Sequence, residues 1–422
     1  MKQLLTKFIE QTGKAKEFQL FLDLMHATPS MRYAVIKVSG SSLENQMDTL
    51  AESLVFLSQL GLFPVMVHGA GSAIDEKLPH SVKKDGLRVT SKEGMGVIAG
   101  IFERIAQVFV SKIEEKGGKA GIARGVFSCT SKPGYGQVGD INAVSLAPIE
   151  ALVSNGILPI VSPIGFDSNG TPLNINADTA AKSLVNALCP KKFLLITDTG
   201  GIFDSQGKLL SFINLTEDYS SYITGGMLLK VNEIKEFLQH ASSETAVVIT
   251  SAENLLKELF TVKGCGTFIK YHVIHTTDKL SELDLPKVKF LLEDAFQKTL
   301  VDDYFKDASK FKRIIYQKDY EGIVILKEIN GIPYLDKFAV LRSCSGNGLG
   351  KTLWLETLKH YPKMIWRAAA KNPFNGFYYG QSDGTVKTPE WHVFWRNLDE
   401  AELLSAVKAA TQLPKTLLEV SP

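Results

Sequence analysis

The chain predicts two successive α/β units, the first a mainly parallel sheet with helices on both faces and the second a smaller α/β domain. Three observations carry this. Short apolar runs alternate with amphipathic stretches from Arg32 to Ile269, the character of the chain changes after Ile269, and a second apolar set follows with its own strands and helices. At 422 residues the chain is also longer than one core usually organises.

Taken in order, residues 1–28 read as an amphipathic helical arm (Leu4, Leu5, Phe8, Ile9, Phe18, Phe21, Leu22, Met25) that stops at Pro29. The runs 33–38, 63–67, 158–161, 193–197 and 245–249 are continuously apolar, the mark of strands buried on both faces. Helical segments at 47–60, 91–115, 178–188 and 227–239 separate them, an alternation that builds parallel sheets. Residues 117–139, with Pro133-Gly134, read as a hairpin or flap. The first domain is thus 29–271. A polar stretch with Pro286, 272–286, reads as a linker, and 287–422 as the second domain. Its elements are strands at 322–329 and 334–341, a helix at 350–360, strands near 364–368 and 391–395, and a last helix at 398–411.

Composition excludes several classes. Lys and Arg number 47 against 45 Asp and Glu, a net charge of +2, so no global field favours nucleic acid or an acidic membrane. No uninterrupted apolar run reaches the ~18–20 residues of a membrane span. The four cysteines lack metal-ligand or short pairing spacing, and Glu10, Glu17 and Asp23 argue against a mitochondrial leader. A cytoplasmic enzyme without a protein-held metal is the expectation.

The chemistry gathers at strand ends, where open α/β sheets bind ligands. One strand ends Lys37-Val38-Ser39-Gly40, another His68-Gly69-Ala70-Gly71, a third Thr197-Asp198-Thr199-Gly200-Gly201. Asn174-Ile175-Asn176-Ala177-Asp178 precedes one helix, and Thr224-Gly225-Gly226 leads into another that carries Lys230. Glycine lets backbone N–H groups approach an anion, and a helix N-terminus adds positive potential. Neither a Walker A loop nor a Gly-x-Gly-x-x-Gly follows either of the first two strands. Taken singly, Asn176 and Asp178 are as well read as helix caps, Lys230 as a solvated lysine, and His68 and Cys265 as structural.

Together, and in this order with Gly86-Leu87-Arg88-Val89-Thr90, these motifs resemble the amino-acid kinase family, most closely its N-acetylglutamate kinases. The resemblance implies ATP with Mg²⁺ and phosphorylation of the N-acetylglutamate carboxylate. Lys37 and Lys230 would neutralise the transferring phosphoryl oxygens and Asp178 would hold both ammonium groups. Arg88, partnered by Asn174, would grip the α-carboxylate, with Gly69 and Ala70 beside the substrate. Gly40, Gly71, Thr197, Asp198, Gly201, Gly225 and Gly226 would hold nucleotide. The family pattern has glycine where Ser39 stands, and a serine there is expected to narrow the phosphate cradle. Residues 258–267 resemble the arginine-binding region of feedback-inhibited members, which implies an allosteric site at Glu258, Gly264 and Gly266 and a homotetramer.

In the second domain Ser345-Gly346-Asn347-Gly348-Leu349-Gly350-Lys351 follows a strand and opens a helix. With Trp366-Arg367 and Asn372-Pro373 through Tyr378-Tyr379 it resembles GNAT acetyltransferases of the N-acetylglutamate synthase type. That implies acetyl-CoA at Gly346, Gly348 and Gly350, and glutamate carboxylates on Lys337 and Arg367 beside Tyr334. Asn372 would position the amine and Tyr378 would protonate the departing thiolate. Ser345 and Ala369 depart from the pattern, Ala369 by removing a cation. Three readings stay open: a bifunctional enzyme, a protein with only one of the two activities, and a non-catalytic amino-acid sensor.

Overall fold

A computed structural model describes residues 22, 23, 26, 29 and 32–419, apart from 217, 222, 242–244, 261–264 and 345–347. The proposed N-terminal arm therefore lies almost wholly outside the described residues, as do Gly264, Ser345 and Gly346. The chain divides into two compact units that meet in sequence at Tyr271 and His272.

The first unit is built on an eight-stranded sheet. Its strands are β1 (Ala34–Val38), β2 (Val65–His68), β3 (Ala120–Ile122), β4 (Leu158–Val161), β5 (Lys192–Ile196), β6 (Phe212–Asn214), β7 (Ala246–Thr250) and β8 (Thr267–Lys270). They lie in the order β6-β8-β7-β5-β1-β2-β4-β3, parallel except where β8 meets β7. Alternate residues of each strand feed opposite cores, which is why the runs read as continuously apolar. Val35, Val67, Phe193 and Val247 pack against α4 (Ala177–Leu188) and α5 (Gly225–His240). Ile36, Met66, Leu194 and Val248 pack against α1 (Gly40–Gln59), α3 (Lys92–Glu115) and α6 (Leu255–Phe260). A short helix, α2 (Gly71–Lys77), follows β2. By length and hydropathy α3 would pass for a membrane span, yet its Ile98, Phe102, Phe109 and Ile113 are buried in the protein.

The segment read as a single flap is two things. Residues 120–122 form the edge strand β3, because they pair in parallel with β4, and only 127–131 and 139–144 make the hairpin.

The second unit is a seven-stranded sheet of β9 (Ile274–Thr277), β10 (Arg313–Gln317), β11 (Gly322–Ile329), β12 (Ile332–Val340), β13 (Met364–Ala369), β14 (Gly384–Lys387) and β15 (Trp391–Arg396). Their order is β9-β10-β11-β12-β13-β15-β14. The expected linker is thus corrected: 274–277 pair with 314–317, and Thr277 is buried. Helix α8 (Leu349–His360) covers one face, and α7 (Leu285–Phe296) and α10 (Glu400–Gln412) cover the other; α9 (Asn375–Tyr379) is a single short turn. Two departures from regularity shape the site. The parallel pair β12–β13 keeps register only at Tyr334–Ile365 and Leu335–Trp366. And β12 bulges opposite Ile325 and Leu326. Leu335 and Phe338 both reach the α8 core, so the bulge turns the consecutive Asp336 and Lys337 to the other face.

Candidate active sites

In the first unit β7, β5, β1 and β2 are neighbours, so the loops at their carboxyl ends lie side by side. The Ser39-Gly40 and Gly69–Gly71 loops touch backbone to backbone. A Cβ on Gly40 would sit 2.8 Å from the Gly71 nitrogen and 3.0 Å from the Ala70 Cα. The Gly69 N–H donates to Val38 O at 2.9 Å. Ser39 does not narrow this cradle. Its hydroxyl caps α1, accepting from the Ser42 N–H (3.2 Å) and donating to Ser42 Oγ (2.7 Å).

Lys37, the penultimate residue of β1, pairs with Asp178 at 2.9 Å. Asn176 supplies the helix cap, accepting from the N–H groups of Asp178 and Thr179, which frees the Asp178 carboxylate for the lysine. Lys230 belongs to the same charge cluster. Burial holds its ammonium below the usual lysine range, Lys37 adds to that, and Asp178 and Glu233 oppose it. One expectation changes here: among the described residues Asp178 is within ion-pair distance of Lys37 alone, while Lys230 stands in the second turn of α5. Gly225 and Gly226 begin that helix with open space around them.

Arg88 is only 10% exposed and donates to Asp75 of α2, to Ser81 and to Leu78 O. The Asn174 amide donates to Thr90 Oγ1 at 3.3 Å, two residues beyond Arg88. Arg88, with Lys83, in turn holds the Asp75 carboxyl below its ordinary range. Buried His68 bonds Ser162 at 2.8 Å, and burial lowers it to about 4, so it is neutral at pH 7 and structural.

A cavity of about 400 Å³ opens beside these loops, walled by Gln46, Asp198, Thr199, Gly200, Ser251 and Cys265 among others. Thr197 braces its rim by accepting from the Gly200 N–H. Gly201 instead lies against Leu209 and Thr267, so Gly200 is the glycine that faces the cavity. Glu258 and Gly266 also receive a different role. Glu258 is buried and its carboxylate accepts the N–H groups of Cys265 and Gly266, while Gly266 packs against Ile249 O. Glu258 thus fastens that loop to α6, and Gly266 lies against β7.

In the second unit Tyr334, Lys337 and Arg367 do come together. Lys337, 5% exposed, is paired with Asp336 (3.1 Å) and donates to Thr416 Oγ1 (2.8 Å). Arg367 stacks on Trp391 at 4.0 Å and donates to the carbonyls of Ala410, Thr411, Leu413 and Pro414. Neither is a free cation waiting for a carboxylate. The carbonyls that end a helix need donors, and Arg367 supplies them to α10. Tyr378 lies on the opposite sheet face within an aromatic cage of Trp354, Trp366 and Phe394. Burial pushes its phenol well above the usual value, which keeps it protonated at pH 7 and makes it a weaker acid than an exposed tyrosine. Asn372 Oδ1 caps the Phe374 N–H at 2.9 Å. Gly348 (φ 83°) opens α8, and Gly350 and the exposed Lys351 lie on its first turn, a fit for a pyrophosphate.

Residues 32–251 match the amino acid kinase family. Over 96% of its length the chain is also 37% identical to the whole of an acetylglutamate kinase from Xylella fastidiosa. The chain belongs to the amino acid kinase family. Residues 275–412 further match the N-acetyltransferase domain of N-acetylglutamate synthase. The human mitochondrial N-acetylglutamate synthase is 28% identical over 94% of this chain and 75% of its own. Among solved structures, N-acetylglutamate synthase from Neisseria gonorrhoeae, in complex with coenzyme A and N-acetyl-glutamate, superposes with a TM-score of 0.59 over 90% of this chain and 99% of that one, at 18% identity, a likeness of fold.

Sequence reasoning missed several residues of this family member's sites. Asp75 lies one turn into the helix after the glycine loop, a position that could have been read. Gln46 had no signal, and neither did Tyr304, Lys327 and Asp336, which join Lys337 in one charged cluster. There Tyr304 donates to Asp336, and Lys327 pairs with it at 3.1 Å while lying 4.3 Å from the Tyr304 ring centre. Burial alone would raise the Asp336 carboxyl; Lys337, Lys327 and Tyr304 outweigh it and hold it at about 2. Its stabilisation is therefore present above the unfolded value near ~4 and is lost as pH falls toward about 2. Asp336→Asn strands two buried lysines and is expected to destabilise the second unit by about 3–5 kcal/mol, read by chemical denaturation at pH 7. The variant's deficit should shrink as the pH falls below ~4, where the native carboxylate is itself being protonated.

Proposed function

We propose that the chain is bifunctional: its first unit phosphorylates N-acetyl-L-glutamate with ATP, and its second makes that substrate from glutamate and acetyl-CoA, two successive steps of arginine biosynthesis. The observation that carries this is the Lys37–Asp178–Lys230 cluster at adjoining strand ends beside a 400 Å³ cavity, in a chain alignable end to end with an acetylglutamate kinase. A carboxylate oxygen of the substrate, already ionised at pH 7, attacks the γ-phosphorus as the bond to the β,γ-bridging oxygen breaks. Lys37 and Lys230 neutralise the transferring group, and no base is required. Arg88 would take the substrate α-carboxylate in exchange for Asp75. The described residues hold no cluster of three metal-ligating side chains, so Mg²⁺ would ride on the nucleotide phosphates and offset their charge. In the second unit the neutral glutamate amine would attack the thioester carbon and the C–S bond break; Tyr378 would protonate the leaving sulfur, and the proton that the nitrogen sheds as the amide forms would restore the phenol.

The test is ADP formation from N-acetylglutamate and CoA release from glutamate, measured on the same full-length protein. Absence of both would sink the proposal and favour a sensor. A second reading, a kinase with a silent acetyltransferase unit, has one observation behind it: Lys337 and Arg367 are already engaged by protein groups. ADP formation without CoA release would establish it. Inhibition by L-arginine, assembly into a homotetramer and a reducing, cytoplasmic setting complete the proposal; the four free cysteines suit the last. Because Glu258 fastens its own loop, arginine would act by shifting that loop. Arginine titration is expected to raise the apparent KM of the kinase, and a flat response up to ~10 mM would remove inhibition from the proposal.

A further inference from the structure

Helix α1 loses its helical geometry at one internal residue, Gln46 (φ −129°, ψ 22°). Kinks have identifiable causes, and residues 40–59 contain no proline. The side chain supplies the cause. Gln46 Nε2 donates to Asp198 Oδ1 (3.1 Å), and its Oε1 accepts the Ala252 N–H (3.0 Å). Ser41, earlier on α1, donates to the other Asp198 oxygen at 3.2 Å. One carboxamide thus clamps the loops after β5 and β7 to the helix that begins just beyond Lys37. Gln46, Asp198 and Ser251 are also wall residues of the 400 Å³ cavity.

The geometry points to Gln46 as a positioning residue for nucleotide binding, one that sets Asp198 and the Ser251–Ala252 turn at the separation an ATP molecule requires and ties both to the Lys37 loop. This rests on the kinase reading and names a residue outside every loop used to reach it. The role needs a group that donates at one end and accepts at the other. A carboxamide does so at any pH, and a carboxyl does so only when protonated.

That property supplies the test. Wild type, Gln46→Leu and Gln46→Glu are compared as full-length proteins by calorimetry with a non-hydrolysable ATP analogue, by KM and kcat for ADP formation, and by thermal melting, over a range of pH. Gln46→Leu is expected to weaken analogue binding and raise the ATP KM by about tenfold or more, with kcat at saturating ATP changed far less. In Gln46→Glu two carboxyls meet at hydrogen-bond distance, so one stays protonated in acid. That variant should bind the analogue nearly as wild type near pH 5 and progressively lose affinity toward pH 8. Glu253 and Cys265 also wall the cavity, but they are common to all three proteins. Asp48 and Glu52 of α1 are paired with Lys112 and Lys116 of α3. A Gln46→Glu affinity profile parallel to that of Gln46→Leu overturns the inference, as does a Gln46→Leu affinity within about twofold of wild type. Should Gln46→Leu fail to fold, the pH comparison within Gln46→Glu decides alone. If wild type binds the analogue yet forms no ADP, the kinase reading falls while the binding comparison still judges Gln46.

Discussion

Lys230→Ala is expected to lower ADP formation by ~100-fold or more, because removing a positive group that faces charge developing on the transferring phosphoryl costs several kcal/mol of transition-state stabilisation. Lys230 is well suited to that role. Its ammonium is partly desolvated and lies in the field of Lys37 and Asp178 without an ion pair to Asp178 that the reaction would first have to break. Lys37, by contrast, is already neutralised at 2.9 Å by Asp178. The loss should fall mainly on kcat, since the charge it answers grows during transfer. CoA release by the second unit should be unaffected, which gives each preparation its own folding control. A kinase rate within about tenfold of wild type would show that Lys230 is a bystander.

Arg367→Ala is expected to abolish CoA release and to lower the melting temperature of the second unit, by about 10 °C for a loss near 3 kcal/mol. Two carbonyls in the last turn of α10 and two just beyond it lose their donor, and Trp391 loses the guanidinium stacked on it. The measurement separates two roles. An arginine that only gripped substrate would raise the glutamate KM and leave the melting temperature alone. Arg367→Lys should recover little stability, because one ammonium cannot span four carbonyls and a ring face.

How far the sequence could be read follows from where each partner lies. Strands such as 34–38 and 246–250 were legible because burial on both faces is written into the run itself. Loop glycines and Lys37 were legible for a similar reason, since strand-end position and residue type suffice. Lys337 and Arg367 were read as ligands of substrate carboxylates because Asp336 reaches Lys337 only through the bulge, and their other acceptors, Thr416 and the carbonyls of 410, 411, 413 and 414, lie more than 40 residues onward. Nothing local announces that those acceptors will arrive first. For Glu258, too, nothing local shows that its carboxylate accepts the N–H groups of Cys265 and Gly266 in the loop that follows α6. The strand at 274–277 hid in a polar stretch because it is an edge strand with two exposed residues, and propensity weakly marks such strands. Gln46 looks like any helical glutamine until the kink is seen.

The contact between Gly40 and the Ala70-Gly71 backbone restricts how this site can be altered. The two loops behave as one machined part, with no clearance for a new side chain at position 40 unless residues 70 and 71 retreat together. Single substitutions in the cradle will therefore trade away stability before they change which acceptor is used. Freedom to redesign lies instead at the rim, where Arg88 and Asp75 are held by side-chain contacts and one carbonyl, that of Leu78. A laboratory search for a kinase with a different carboxylate acceptor should begin with that pair and leave the glycines untouched.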